Sequence, residues 1–517
     1  MSREIEIRFA VAPDDLARLK NAHALKAVGA GRSATRRLST IYYDTQKLGF
    51  AKAGLSLRVR KTGRTYVQTV KNETTGALAS ERGEYESKLS SPKPNLDSIP
   101  DDSMRERLRA IANDDPVEAV IETDIRRTTR SLKTKSGEKI ELALDKGEIR
   151  TLANGHAVVP VSEVELELKE GSLATLYDVA RKLSREAPLT VSTESKAERG
   201  LRALEGRDVS PHKAGRVELA PDCSAEDAFR ATLSHCLRHI ARNTGAVVEA
   251  HDPEGVHQMR VGLRRLRAAL SAFGDAFRVP ALEELRERAK TLADIFGDTR
   301  ELDVFALELL APVEEATKQP GVPQLRLALE ELRRESWSRA IDLVRSDDFT
   351  GFLLDLASAI EARVWRESAS AEQLTELLRS AHSLGAEALD KALKKACKRA
   401  RHLSTLNTEE RHRLRIALKK LRYASEFFAP LFPAKTVAAF LARLSKLQDL
   451  FGALNDAATT ENILRRITEH AGERAGPELS EAASFVDGWH QSRVSPTWEK
   501  AKKRWKRFIK TKPFWSS

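Results

Sequence analysis

Two short segments carry charged residues at every second position. Residues 4–9 read Glu-Ile-Glu-Ile-Arg-Phe, and residues 163–169 read Glu-Val-Glu-Leu-Glu-Leu-Lys. Because successive side chains of a β-strand point to opposite faces, each segment predicts a strand with one charged and one apolar face. A solvated antiparallel strand has the same pattern and is the better interpretation of either segment taken alone. Carboxylates held side by side in such a row repel each other unless water, a cation or a base relieves them.

Other segments alternate in the same way, some of them with the opposite charge. Arg58 and Arg60 share one face of a predicted strand, and a further strand ends in Lys71. Segments 84–86 and 140–145 repeat the acidic alternation. Carboxylate oxygens hold hard divalent cations, whereas arginine and lysine bind phosphate oxygens. So many half-charged strands predict a closed or strongly curled antiparallel sheet, and both charge types in one cavity would fit a metal-bound polyanion such as a phosphate chain.

Six motifs that follow one another in order cover the first 205 or so residues. They are Glu-x-Glu-x-Arg at 4–8, Tyr-Tyr-Asp-Thr at 42–45, Leu-Arg-Val-Arg at 57–60, Thr-Val-Lys at 69–71, the acidic row at 163–169 and Ser-Lys-Ala-Glu-Arg-Gly at 195–200. This region resembles a CYTH domain, the triphosphate tunnel metalloenzyme family. Arg8 departs from the family pattern, which usually has lysine there. Because a planar guanidinium replaces a compact ammonium, we expect substrate geometry or rate to differ.

The resemblance implies an eight-stranded antiparallel tunnel with flanking helices that hydrolyses inorganic triphosphate with Mg²⁺ or Mn²⁺. One cation would neutralise phosphate oxygens, and a second cation or a carboxylate would position water for in-line attack. The implied catalytic residues are Glu4, Glu6, Arg8 and Glu86. The implied metal ligands are Glu4, Glu6, Glu165 and Glu167, assisted by Asp145. The implied phosphate-binding residues are Arg58, Arg60, Lys71, an arginine at the pair Arg126 and Arg127, and Lys196 on a helix that plugs one end of the tunnel.

Composition narrows the class of protein without identifying a partner. The formal net charge of +12 is spread along the chain, so local clustering must decide what binds. Cys223, Cys236 and Cys397 lie far apart without a Cys-x-x-Cys pair, which argues against a disulfide framework and is typical of the reducing cytosol. No apolar run resembles a signal peptide or is long enough to span a bilayer. We therefore expect a cytoplasmic protein with no membrane partner.

The sequence changes character after about residue 205. Residues 206–218 are polar, contain Gly and Pro breakers, and are typical of a linker. Residues 219–510 have helical periodicity and divide into two predicted repeats, about 225–360 and 375–510. The predicted fold class is therefore a two-domain α+β plus all-α chain, in which a β tunnel over 1–205 precedes a duplicated helical-bundle domain.

The duplication is visible as two pairs of motifs. Residues 257–267 align with 412–422, and residues 296–301 align with 451–456 at the same offset of 155 residues. Two motifs with one offset predict two related helical bundles arranged about a pseudo-two-fold axis.

Each copy of the first motif predicts a basic stripe along one helix. A solvated helix face with salt bridges is the usual interpretation of such a stripe. Here neither stripe contains an acidic residue, and the pattern occurs twice. Two such stripes facing each other would form a groove for an extended polyanion. The candidate polyanion-binding residues are His257, Arg260, Arg264, Arg267, His412, Arg415, Lys419, Lys420 and Arg422.

Residues of about 220–510 resemble a CHAD domain, the conserved histidine α-helical domain, through the duplicated His-x-x-Arg-x-x-x-[Arg/Lys]-[Arg/Lys]-x-Arg motif. The resemblance implies binding of inorganic polyphosphate. Three alternatives stay open: a tunnel enzyme for thiamine triphosphate or nucleotide cyclisation, a non-catalytic polyphosphate scaffold, and nucleic-acid binding by the helical half. The acidic rows count against the scaffold, since they would oppose pure anion binding. The near absence of aromatic residues for base stacking in the stripes counts against nucleic acid.

Overall fold

The computed structural model describes residues 2–74, 78–152, 156–367, 369–472 and 476–516. The chain forms two compact units. The first comprises Met1–His212, Leu237–Gly255 and Asp342–Ala362. The second comprises Lys213–Cys236, Val256–Ile341 and Arg363–Ser517.

The first unit is built on an antiparallel sheet that closes on itself. Its strands are β1 Ser2–Ala10, β2 Ala34–Thr45, β3 Leu55–Thr62, β4 Thr65–Thr74, β5 Ser80–Leu89, β6 Val117–Lys133, β7 Lys139–Thr151, β8 Val158–Glu170 and β9 Thr190–Val191. The strand order is β5-β4-β3-β2-β6-β7-β8-β1-β9, and an additional pairing of β5 with β1 closes β1 to β8 into a ring. The predicted eight-stranded tunnel is confirmed, with the two-residue strand β9 added beside β1.

The helices complete both units. They are α1 Pro13–Leu19, α2 His23–Ala27, α3 Gly49–Lys52, α4 Asp102–Ala112, α5 Leu173–Ser184, α6 Lys196–Leu204, α7 Ala225–Ala241, α8 Thr244–Val248, α9 Pro253–Ala272, α10 Pro280–Val304, α11 Ala311–Ala316, α12 Val322–Arg345, α13 Asp347–Ala362, α14 Ala371–Leu378, α15 Ala381–Arg399, α16 Thr408–Phe428, α17 Ala434–Ala471, α18 Pro477–Gln491 and α19 Val494–Phe508. None of the described helices is long and apolar enough to cross a membrane.

The apolar faces of the strands pack outwards and the charged faces point into the ring. Leu57 of β3 and Val70 of β4 are buried against Met104 and Leu108 of α4. The side chains between them in sequence, including Arg58, point the other way because the alternation has period two. The same alternation that predicts strands from the sequence therefore places the charged residues on one internal surface.

Helix α6 packs against β6, β7 and β8 of the ring. Its N-cap is Ser195, which forms a capping box with Glu198. Gly200 allows the helix to approach the sheet closely, because a Cβ there would lie 2.7 Å from the Ile121 side chain and 2.9 Å from that of Ile149. Lys196, the first residue of this helix, lines the interior of the ring together with Ser195 and Ala197.

The compact units do not follow the predicted boundary at residue 205. Helix α13 packs along α5, and Asp347 accepts hydrogen bonds from Arg181 at 2.6 Å and from Ser184 at 2.7 Å. Thr350 donates a hydrogen bond to the backbone carbonyl of Leu189. These contacts join residues 342–362 to the first unit, although sequence position assigns them to the helical part. The segment 206–218 contains no helix or strand.

The predicted duplication corresponds to equivalent helices. The two basic motifs lie on α9 and α16, and the two motifs over 296–301 and 451–456 lie on α10 and α17. The apolar residues between the basic ones, such as Leu263 and Leu418, are fully buried. Burial of these stripes fixes which side of each helix its basic residues occupy.

Candidate functional site

A cavity of about 250 Å³ lies inside the ring of β1 to β8. Basic and acidic side chains of β1, of β3 to β8 and of α6 line it. Its basic residues are Arg8, Arg58, Arg60, Lys71, Arg127, Lys169 and Lys196. Its acidic residues are Glu4, Glu6, Glu84, Glu86, Glu141, Asp145, Glu165 and Glu167. The two charge types predicted from the strand alternation thus meet in one cavity.

Strands β3 and β4 form the basic wall. Arg58 lies 3.4 Å from Glu84, and Lys71 forms an ion pair with Glu4 and lies 3.4 Å from Glu84. Arg60 differs, because no carboxylate in the described part of the chain lies within 4 Å of it. It donates only to the Thr40 hydroxyl, at 3.0 Å.

The surroundings of Arg60 disfavour its positive charge and lower its pKa. Repulsion by the neighbouring Arg58, together with burial, lowers the pKa of Arg60 to about 10. Two guanidinium groups held side by side on one strand face repel each other until an anion is placed between or above them. The basic wall is therefore arranged to receive negative charge, and Arg60 is its least neutralised member.

Strands β1, β8 and β7 form the acidic wall. Glu6 is the cross-strand partner of Glu167, which in turn is the partner of Glu141. Like charges directly opposite on adjacent strands are destabilising. Burial raises the pKa of Glu167, and the charges of Glu4 and Glu141 raise it further, whereas Lys169 at 2.5 Å lowers it. Such a row of oxygen donors is the arrangement that a hard divalent cation would relieve.

A second acidic cluster lies beside α6. Oxygen atoms of Asp145, Glu163 and Glu165 lie within 4.8 Å of one another. Lys196 lies 2.8 Å from both Asp145 and Glu165 and also pairs with Glu163. Arg127 binds Asp145 through two nitrogens, at 2.7 and 2.5 Å, and pairs with Glu165. Protein cations thus already neutralise this cluster.

The pKa values in this cluster reflect the ion pairs. Burial alone would raise the pKa of Glu165, but Arg127 and Lys196 hold it well below its ordinary value. Burial would lower the pKa of Lys196, but Glu163 and Glu165 raise it. Arg127, Lys196 and Glu165 are thus bound to each other by ion pairs. Among the described residues, Asp145, Glu163 and Glu165 are the set whose oxygens converge closely enough for a metal ion, and an ion bound there would compete with Arg127 and Lys196 for the same oxygens.

The structure brings together all but one of the tunnel residues proposed from the sequence. Arg126 is the exception: its side chain is exposed and borders an open depression on the outer face with Arg37 and Asp124. Because Arg127 faces inwards, its neighbour on β6 must face outwards. The prediction that Arg126 faces the substrate is corrected in favour of Arg127.

Arg8 is buried beside the segment that precedes α6. Its guanidinium lies 3.8 Å from Glu6 and donates to the backbone carbonyl of Thr193 at 3.4 Å. Thr193 precedes the cap of α6 by two residues. The arginine at the family's lysine position therefore contacts the segment that leads into α6.

Glu84, Glu141 and Tyr42 are among the cavity residues that were not proposed as site residues from the sequence. Glu84 and Glu141 share the alternation of Glu86 and Asp145, so the period-two pattern could have identified them. Tyr42 gave no such signal, since an aromatic residue on a strand usually belongs to the core. In the cavity, burial would raise the pKa of Tyr42, but Arg58 and other nearby cations lower it.

The basic stripes of the second unit come together as predicted. Arg260 and Arg264 of α9 act electrostatically on Arg415 and Lys419 of α16. Burial, together with Arg264, Arg415 and Arg260, lowers the pKa of Lys419 to about 6. Burial and Arg264 likewise lower the pKa of Arg260. We call these four residues the stripe cluster; they bring four basic side chains together from the two duplicated helices.

Acidic residues near the stripe cluster come from the other duplicated motif. Glu301 of α10 lies 3.8 Å from Arg260. The charge of Asp456 of α17 raises the pKa of Lys419 and so opposes the effect of the surrounding arginines. These two carboxylates occupy equivalent positions in the duplication. The expectation of unpaired stripes is therefore correct within each helix but wrong for the folded unit, because the sequence does not tell which helix packs beside another.

The other predicted polyanion-binding residues lie outside the stripe cluster. Arg267 and Lys420 act on each other, with Arg286 beside both. Arg422 donates to Glu426 at 2.8 Å and to Gln448 at 3.2 Å, which is a structural role. His412 is exposed and hydrogen bonded through Nδ1 to Asn455 at 2.8 Å, and His257 occupies the equivalent position on α9.

Comparisons with known proteins identify two families. Residues 2–201 match the CYTH domain, and residues 231–465 match the CHAD domain. An inorganic triphosphatase of Haemophilus influenzae is 29% identical over 206 residues, which are 39% of this chain and 54% of that protein. An uncharacterized protein of Mycobacterium tuberculosis is 26% identical over 341 residues, which are 60% of this chain and 63% of that protein. The CHAD domain of the plant Ricinus communis is 30% identical in its crystal structure, with a TM-score of 0.49, over 57% of this chain and 96% of that one.

The chain thus spans between half and two thirds of the length of these two curated relatives. The family matches follow the order of the structural elements: the closed sheet falls within the first match, and the duplicated basic helices fall within the second. The chain therefore contains a CYTH domain followed by a CHAD domain.

Proposed function

We propose that the tunnel hydrolyses inorganic triphosphate to pyrophosphate and phosphate with a divalent cation, and that the helical domain binds inorganic polyphosphate. The observation that carries the first part is a closed cavity with an under-neutralised basic wall, led by Arg60, facing a row of carboxylates in cross-strand register. The similarity to an inorganic triphosphatase of Haemophilus influenzae supports the same substrate.

In this proposal the basic wall holds the phosphate chain. Arg58, Arg60, Lys71 and Arg127 donate to phosphate oxygens, and Lys196 of α6 adds charge. Arg60 is free to do so without breaking an ion pair, whereas Lys71 and Arg127 must share their donors with carboxylates. Substrate therefore relieves the repulsion between Arg58 and Arg60 as it binds.

The acidic wall supplies the metal ligands and orients water. Glu4, Glu6, Glu165 and Glu167, the metal ligands that the family resemblance implies, all line the cavity and would hold Mg²⁺ or Mn²⁺. The bound ion would neutralise phosphate oxygens and act as a Lewis acid. Water attacks the terminal phosphorus in line, the bond to the bridging oxygen breaks, and pyrophosphate leaves. The proton of the water passes to a carboxylate, for which Glu86 is our candidate.

In the helical domain, polyphosphate binds the stripe cluster. Burial and repulsion among these basic groups lower the pKa values of Arg260, Arg415 and Lys419, so added phosphate charge would be favourable here. Arg267 and Lys420 extend the surface. Glu301 and Asp456 limit the net charge, so the phosphate chain competes with them for the same guanidinium groups.

One experiment tests the catalytic part directly. Phosphate release is measured from inorganic triphosphate, longer polyphosphate, ATP and thiamine triphosphate, each with Mg²⁺, with Mn²⁺ and with EDTA. We expect inorganic triphosphate to be turned over fastest and EDTA to stop the reaction. Faster phosphate release from thiamine triphosphate or ATP would identify that compound as the substrate in place of inorganic triphosphate. No release from any of the four compounds would favour a non-catalytic scaffold.

A further inference from the structure

The C-terminal helix α19 has one apolar and one basic face. Trp498, Ala501, Trp505 and Phe508 are buried. The helix lies outside the residues that match the CHAD domain. The exposed cations on and just after this helix are Lys500, Lys503, Arg504, Lys506, Arg507, Lys510 and Lys512.

The protein hardly neutralises this charge. Glu499 is the sole acidic residue of the sequence from 494 to 516, and it pairs with Lys502 at 2.5 Å. Within the described ranges, none of the seven exposed cations forms an ion pair. A solvated helix face normally mixes both signs of charge, so a face of one sign indicates a surface that receives an anion.

The spacing aligns part of this charge along one line. Lys500, Lys503, Arg504 and Arg507 follow the i, i+3, i+4, i+7 pattern, which places them on one side of the helix. We call these four residues the α19 basic face. They span about 10 Å along the helix axis at 1.5 Å per residue.

Helix α17 extends the same positive region. Exposed Arg443 donates a hydrogen bond to Thr511 at 2.8 Å, which brings it to the end of α19. Exposed Lys446 lies one turn further along α17. The region therefore continues from one helix to the next.

We propose that the α19 basic face is a second binding surface for inorganic polyphosphate, separate from the stripe cluster. This inference rests on the proposed function of the helical domain, because it assigns a further contact to the same class of ligand. A thin, flexible phosphate chain can follow a single helix and place successive charges on residues one turn apart.

The chemistry of the face favours polyphosphate over other polyanions. All three aromatic side chains of α19 point into the core, so none stacks on a nucleic-acid base or enters a lipid interface. Ile509 is the one large apolar residue exposed beside the basic face, at 49%. Recognition here is therefore of backbone phosphate alone.

The test measures the salt dependence of long-chain polyphosphate binding to the full chain. The variant carries Lys503→Gln, Arg504→Gln and Arg507→Gln together. Each lost phosphate contact makes the slope of log K against log salt shallower by about 0.7 for a single chain, so three contacts should reduce it by about 2. All three side chains are exposed, and an unchanged Tm confirms that the variant folds.

A charge-matched variant controls for net charge. Lys290→Gln, Lys318→Gln and Arg334→Gln remove three exposed cations elsewhere in the second unit, and they should leave the slope unchanged. An equal effect in this control would overturn the inference, because bulk charge would then explain the binding. So would a triple α19 variant with the wild-type slope.

Two further arms separate this inference from the function on which it rests. In the first arm, the double variant Arg264→Glu, Lys419→Glu is compared with wild type. If it binds polyphosphate more weakly, the stripe cluster is a binding site, even when the α19 variant binds like wild type. If wild-type protein shows no salt-sensitive binding, both proposals fail. Duplex DNA of equal charge is titrated in parallel. Loss of DNA binding without loss of polyphosphate binding in the α19 variant would replace polyphosphate with nucleic acid as the occupant.

Discussion

Arg60→Gln is expected to lower kcat/KM for inorganic triphosphate by about 10- to 150-fold. Arg60 lines the cavity and has no carboxylate within ion-pair distance in the described residues. Its hydrogen bond to a phosphate oxygen is charge-assisted and worth about 1.5–3 kcal/mol. At about 1.4 kcal/mol per factor of ten, loss of that bond gives the stated range.

The same substitution is expected to leave the melting temperature unchanged or to raise it. Removing Arg60 breaks one hydrogen bond to Thr40 but ends the repulsion with Arg58 that lowers its pKa. Arg127→Gln should behave differently, since it leaves the buried Asp145 with one cation fewer. Breaking a buried pair in this way costs about 3–5 kcal/mol. Arg127→Gln should therefore lose stability as well as activity.

The assay combines steady-state phosphate release with thermal unfolding of the purified full chain. Arg126→Gln is the matched control, because this arginine neighbours Arg127 on β6 but is exposed on the outer face; both its activity and its Tm should equal those of wild type. The reasoning is refuted if Arg60→Gln keeps full kcat/KM, or if its Tm falls as far as that of Arg127→Gln. The second result would make Arg60 a structural residue.

Three further outcomes are expected. EDTA should abolish triphosphate hydrolysis, and Glu167→Gln should lower the rate on the order of a hundredfold through loss of a metal ligand; full activity in EDTA contradicts a metal site. Polyphosphate binding should take up a proton above pH 6 and weaken as the pH rises, because burial and Arg264 lower the pKa of Lys419 to about 6 in the free protein and bound phosphate favours the charged amine. Calorimetry in two buffers of different ionisation enthalpy counts that proton, and undiminished uptake by Lys419→Met would be the contrary result. Gly200→Ala should lower both Tm and activity, because the added Cβ would lie 2.7 Å from Ile121 and displace α6; an unchanged Tm would mean that the sheet accommodates it.

The strands and their charged faces were predictable because the alternation has a period of two residues. That pattern separates Glu4 and Glu6 from Ile5 and Ile7 without any knowledge of the fold. It does not reveal which strands are neighbours. The row formed by Glu6, Glu167 and Glu141 depends on pairing between β1, β8 and β7, and no local pattern contains that information. The cross-strand register of this acidic row could therefore be known only from the structure.

Two other features escaped prediction for related reasons. Arg126 and Arg127 are adjacent, so one faces the cavity and the other faces outwards. Their identical residue type does not tell which of them faces the cavity. The duplication placed α9 and α16 in equivalent roles, but the approach of Glu301 to Arg260 depends on how α10 packs beside α9. Motif spacing thus predicted which residues are equivalent, whereas packing decides which of them meet.

The pairing of β1 with both β5 and β8 has a consequence for how the protein acquires activity. Strand β1 supplies Glu4 and Glu6 and is also the strand that closes the ring, with Glu6 opposite Glu167. Glu6 therefore pairs with a residue about 160 positions later in the chain, and contacts of such long range form slowly. During synthesis the side of β1 that pairs with β8 would remain an open edge until β8 has emerged, exposed to pairing with other chains. If the proposed triphosphatase activity is present, its appearance during refolding would report when the ring closes.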